Sequence, residues 1–112
     1  MKIFNRNVLL GLVGDDLETI NEIVNSYKQT LPSQTEELQK SLDTENFNQV
    51  KFYAHSIKGG AGNLGGERLY QLAGEIEQAA INGKNGVCME KIPLVQDELK
   101  ILLKALDEEK WT

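Results

Sequence analysis

The chain has one cysteine, Cys88, in 112 residues, which excludes an internal disulfide. Histidine is equally scarce. His55 stands alone, so a metal site would have to combine one Cys, one His and scattered carboxylates, and none is expected. Only two prolines occur, leaving long stretches open to helix. No run approaches the roughly 20 apolar residues of a membrane span. Met1-Lys2-Ile3 leads into no signal-peptide apolar region, so the cytoplasm, away from the membrane, is the expected place. Basic residues are few, 12 against 17 acidic for a net charge of −5, which argues against nucleic acid as a partner because phosphate binding needs a basic face.

What remains is ordinary for a globular protein: 40% hydrophobic and 26% charged residues. A chain of this length forms one domain, residues 1–112, with a core that needs no staples. Runs of Glu, Gln, Leu, Lys and Ala favour helix, and the apolar spacing is helical throughout. A short helix is expected over residues 4–13, with Phe4, Val8, Leu9 and Leu12 on one stripe and Gly14 as its stop. A longer one opens at Asp15-Asp16 and runs to Leu42, its stripe being Leu17, Ile20, Val24, Tyr27, Leu31, Leu38 and Leu42. Pro32 falls inside it, so a kink or brief break is expected near residues 30–33, and because the pattern resumes in register one kinked helix is expected rather than two.

Asp43-Thr44-Glu45 supplies the next turn and cap. A helix then extends from about Glu45 to Gly62 or Asn63, with Phe47, Val50, Ala54, Ile57, Ala61 and Leu64 buried. Gly65-Gly66 reverses the chain into a helix over residues 66–82, whose inward positions are Leu69, Leu72, Ala73, Ile76 and Ala80. After a loop over residues 84–86, the last helix starts between Val87 and Glu90 and ends near Asp107, on Ile92, Val95, Leu99, Leu102 and Leu106. Pro93 is tolerable there in the first turn and would otherwise kink it. Four long helices with short connections make an all-α, antiparallel up-and-down four-helix bundle, with the short N-terminal helix added.

The third helix carries the chemistry. At about 100° per residue His55 lies roughly 140° from the centre of the buried stripe, on a second face with Lys51, Lys58, Gly59 and Gly62. Gly59, Gly60 and Gly62 together weaken this helix by roughly 2–3 kcal/mol, so something must offset them. Gly59 sits one turn after His55, where any side chain would lean back over the imidazole. Its absence leaves the ring open to a macromolecule, while Lys58 offers a mobile cation suited to a phosphoryl oxygen.

The segment AHSIKGGAGNLG, with His55, Lys58, Gly59, Leu64 and Gly65 preceded by the small Ala54, resembles the signature of the histidine-containing phosphotransfer (HPt) domain of phosphorelays. The likeness of layout extends over about residues 4–108. It implies that His55 is the phosphoacceptor, taking a phosphoryl group from a receiver-domain aspartate and passing it to another, and that Lys58 stabilises that group. It also implies a Gln or Glu from the following helix that orients the ring; by spacing in LAGEIEQAA this is Glu77, with Glu75 and Gln78 out of phase and a solvated surface role as the alternative.

Partners would be receiver domains and a sensor histidine kinase. Mg²⁺ would belong to the receiver's carboxylates, with no cofactor bound by this chain, a monomeric carrier without autonomous kinase activity. Two other readings stay open: a phosphoacceptor module from a larger chemotaxis-type or hybrid kinase, and an inactive receiver-docking module. Phe52, roughly 160° from the stripe's centre, is either a docking anchor or covered by the first helix. Lys51 adds positive potential for docking, and Gly62 either extends the clearance or permits close helix packing. Trp111 is given no role.

Overall fold

The computed structural model describes residues 1–111; Thr112, the last residue of the expected domain span, lies outside the described residues. Among the described residues there are five helices: α1 (Arg6–Val13), α2 (Leu17–Asp43), α3 (Phe47–Leu64), α4 (Glu67–Ile81) and α5 (Asn85–Glu108). No strand occurs among the described residues. The long helices pack α2 on α3, α3 on α4, α4 on α5 and α5 back on α2, while α1 lies against α2 and α3.

Each helix contributes its apolar stripe to one core. Ile20, Leu31, Leu38, Val50, Ile57, Leu64, Leu69, Ile76, Ile92 and Leu102 are buried there. Asp16 caps α2 by accepting from the backbone N–H groups of Glu18 (3.1 Å) and Thr19 (3.3 Å), which satisfies two otherwise orphaned donors.

α2 continues as one helix through Pro32, as the in-register pattern predicts: buried Leu31, Thr35 and Leu38 keep the stripe in phase on both sides and outweigh the lost backbone bond. Other local expectations change. The cap of α3 is Asn46, whose side chain accepts from the Gln49 N–H at 3.2 Å, and not the preceding Asp-Thr-Glu. Glu45 makes the turn in the left-handed region at φ 54°.

α5 starts at Asn85, inside the expected loop, so that Pro93 falls well past the first turn. Cys88 explains the early start. Fully buried in the core, it anchors the first turns of α5, and burial pushes its thiol pKa up. In α1 only Leu9 is fully buried; Leu10 and Val13 pack partly against the core, while Leu12 faces solvent.

The N-terminal segment is tied to the turn between α3 and α4. The Asn5 N–H donates to Gly65 O at 2.7 Å, and Arg68 N–H donates to Lys2 O at 3.1 Å. Glu67 accepts from Lys2 N–H (3.2 Å) and from Asn5 Nδ2 (3.1 Å), bonds that hold its carboxyl below the usual range. At the other end of the chain, Trp111 packs edge-on against Phe4, with ring centroids 5.6 Å apart, and lies under the Arg6 guanidinium at 5.7 Å.

Candidate phosphoacceptor site

The glycines of α3 sort by what surrounds them. A Cβ on Gly60 would lie 3.1 Å from both Leu31 Cδ2 and Tyr27 Cε1, so this glycine lets α3 close on α2. On Gly62 it would lie 3.2 Å from Tyr70 Cδ2, which makes close packing on α4 the reason for that glycine. On Gly59 it would meet nothing within 4 Å. Packing therefore accounts for two of the three interior glycines and leaves Gly59, beside His55, without a structural reason.

His55 projects from this open face with its side chain 72% exposed. Its Nδ1 lies 2.6 Å from Oε2 of Glu77, whose side chain is only 11% exposed. An ionised carboxylate only accepts, so Nδ1 is the donor in this contact, and in the neutral ring Nε2 is then the nitrogen with the lone pair. The second oxygen, Oε1, accepts from Lys58 Nζ at 3.4 Å. One buried carboxylate thus holds both the ring and the cation. Glu75 is committed elsewhere: it pairs with Lys91 on α5 at 2.5 Å, which lowers its pKa, while Gln78 is exposed.

Lys51 is exposed one turn before His55. Phe52 is 62% exposed and rests edge-on against Tyr53, centroids 5.1 Å apart. α1 does not cover it, since the N-terminal segment meets α3 at Gly65, more than three turns away. A groove of about 810 Å³ runs from Lys58 toward α1, bordered by Val8, Gly62, Gly66, Tyr70 and Gly74.

Tyr70 and Gly74 were not among the residues expected at the site. They stand two turns and one turn before Glu77 on the same face of α4, so the signal was available once that face was set against α3. Among the described residues no three His, Cys, Asp or Glu side chains converge as a metal site requires.

A scan against family models matches the Hpt domain over residues 22–109, most of the chain. The chain belongs to the Hpt domain family. Neither the curated proteins nor the solved structures give a significant match. Hpt domains are phosphocarrier modules of two-component phosphorelays rather than autonomous kinases, and they interact with receiver domains and histidine kinases. The matched span contains α3, α4, α5 and most of α2, and excludes α1. No helix of this Hpt domain, among the described residues, is long and apolar enough to cross a membrane.

The carboxylate contact carries a measurable consequence. Glu77→Ala removes a charge-assisted hydrogen bond of about 1.5–3 kcal/mol, so ¹⁵N shifts of the imidazole are expected to move toward the Nε2–H tautomer. Phosphoryl uptake is expected to fall by one to two orders of magnitude, if most of that bond acts in the transition state. Unchanged ring shifts would make Glu77 a bystander.

Proposed function

We propose that His55 accepts a phosphoryl group from the aspartyl phosphate of a receiver domain and passes it to the aspartate of another. The observation that carries this reading is the Glu77 carboxylate 2.6 Å from Nδ1 of an otherwise open histidine. With Nδ1 protonated and held, Nε2 attacks phosphorus, the P–N bond forms as the P–O bond to the aspartyl carboxylate breaks, and that carboxylate leaves. The ring gains positive charge during attack, and Glu77 is placed to stabilise it. Lys58, one turn away, can exchange its carboxylate partner for a phosphoryl oxygen. Phosphoramidate and acyl phosphate are both high-energy bonds, so the transfer runs in either direction.

Mg²⁺ in this scheme sits on the receiver's carboxylates. Lys51 and Phe52 flank the ring as docking residues, the first for an acidic surface and the second as an apolar anchor. We read residues 1–112 as a single monomeric domain of the cytoplasm, and the long helices as an antiparallel up-and-down bundle. Contacts between α3 and α4 support that last point: His55 meets Glu77, Lys58 lies by Gly74 and Gly62 by Tyr70, positions that rise along one helix as they fall along the other.

The test is acid-labile phosphate on the protein after incubation with a receiver domain, Mg²⁺ and acetyl phosphate. Label is expected. Its absence with several receivers, combined with label from ATP and a kinase, would replace this reading with that of a kinase-substrate module.

Gly59 gives a second check. Gly59→Leu is expected to stabilise the fold by up to about 0.8 kcal/mol, since leucine is the better helix former and the position is open. It is expected to slow phosphoryl transfer all the same, because the side chain leans toward His55. A more stable protein with an unchanged transfer rate would remove the clearance role.

A further inference from the structure

Tyr70 is a large aromatic that is 45% exposed, so it contributes little to the core. Its ring nevertheless has a defined seat. Gly62 lies under one edge, where a Cβ would stand 3.2 Å from Cδ2 and 3.3 Å from Cε2. Over the ring sits the Lys58 ammonium, 5.6 Å from the centroid, within the range of a cation–π contact. The stem of Lys58 crosses α4 at Gly74, where a Cβ would touch Cδ at 3.7 Å and Cε at 4.0 Å, and any longer side chain would run into it. Beyond Gly74 the ammonium reaches Oε1 of Glu77 at 3.4 Å.

From this arrangement we propose that Tyr70 is a positioning residue for phosphoryl transfer: its ring face, seated on Gly62, holds the Lys58 ammonium beside Glu77 and within one turn of His55. A lysine stem has four rotatable bonds, and an unrestrained one spends most of its time away from any single point. Two weak anchors, a ring face and a carboxylate, confine it while leaving it free to exchange the carboxylate for a phosphoryl oxygen. Gly62 and Gly74 make room for this clamp, which gives both glycines a function that helix propensity opposes.

The inference rests on the proposed role of His55 and Lys58, and its test separates the two. In the isolated protein, the Lys58 Hε protons are expected upfield of ordinary lysine positions by the ring current of Tyr70. Tyr70→Phe is expected to retain that shift and Tyr70→Leu to lose it. This measurement needs no partner, so it reads the clamp even if no receiver transfers phosphate.

In single-turnover transfer from a phosphorylated receiver, Tyr70→Leu is expected to lower the saturating rate about two- to fivefold. The half-saturating concentration should stay close to wild type, and Tyr70→Phe should restore the rate. In a Lys58→Met background, Tyr70→Leu should have no further effect, since neither change then removes anything the other has left. An equal loss with and without Lys58, or an effect on half-saturation alone, would overturn the proposal and make Tyr70 a docking residue. A wild type that takes no phosphate from any receiver, with the Lys58 shift intact, would refute the functional reading instead.

Discussion

His55→Gln is expected to take up no acid-labile phosphate from a receiver domain supplied with Mg²⁺ and acetyl phosphate, under conditions where the wild type is labelled. Glutamine keeps a donor that can still reach Glu77, so the carboxylate is not left unpaired. What it lacks is the nucleophilic ring nitrogen, and no partial activity should survive that loss. The side chain is 72% exposed and an amide donor replaces the imidazole beside Glu77, so the substitution should cost no more than about 1 kcal/mol of stability. Circular dichroism and thermal melting therefore serve as the control: an unaltered melt with no label isolates chemistry from folding. Because His55 is the sole histidine, the outcome cannot be blurred by a second phosphohistidine. Label persisting in the variant would mean that the acceptor is not an imidazole, and would end the reading of α3 as a phosphoacceptor helix.

What could be foreseen and what could not divide along a physical line. His55 and its glycines stand opposite a regular apolar stripe, and a period of about 3.6 places every residue of a helix once the stripe is known. The family resemblance supplies the expectation of a ring-orienting Gln or Glu on the following helix, and spacing with helical phase then sets Glu77 apart from Glu75 and Gln78. Features that depend on which helix faces which were not readable from one helix at a time. The choice between clearance and close packing at Gly62, and the need for Gly74 at all, are decided only by Tyr70 and the Lys58 stem on the neighbouring helix.

The start of α5 shows a different failure. Cysteine scarcity bears on redox and metal chemistry, but Cys88 acts in the fold as a small buried hydrophobe, and counted into the stripe it moves the helix start back by a turn. At Pro32 the in-register stripe on both sides predicts the single helix that local propensity opposes. The place of α1 lay in backbone bonds to the Gly65 turn, and side-chain periodicity carries no signal for those.

That turn gives the other large expected effect. Gly65→Ala is expected to lower the melting temperature by roughly 10–15 °C, taking a cost of about 3 kcal/mol and the slope for a domain of this size. Gly65 closes α3 in the left-handed region at φ 77°, its N–H bonded back to Ala61 O and Gly62 O. An L-residue there costs about 1–2 kcal/mol by itself. The added methyl also has no room, because a Cβ would fall 2.2 Å from the backbone oxygen of Asn5 and 3.2 Å from Val8 Cβ. Backbone cannot rotate away as a side chain does, so the N-terminal segment must lift and stretch the 2.7 Å bond from Asn5 N–H to Gly65 O, worth about 1 kcal/mol more.

Fully buried Leu9, in the helix that follows, resists that lifting. Transfer measured well below the melt should nonetheless stay near wild type, since His55 is more than two turns away and its contacts to Glu77 do not pass through the turn. Gly59→Leu and Gly65→Ala thus move stability and transfer in opposite senses: one strengthens the fold and obstructs the histidine, the other weakens the fold and leaves the histidine alone. Two glycines six positions apart would behave alike if both merely relaxed the helix. A Gly65→Ala protein melting within a few degrees of wild type would show that the α3–α4 turn does not depend on its left-handed glycine, and that the first helix is not held by it.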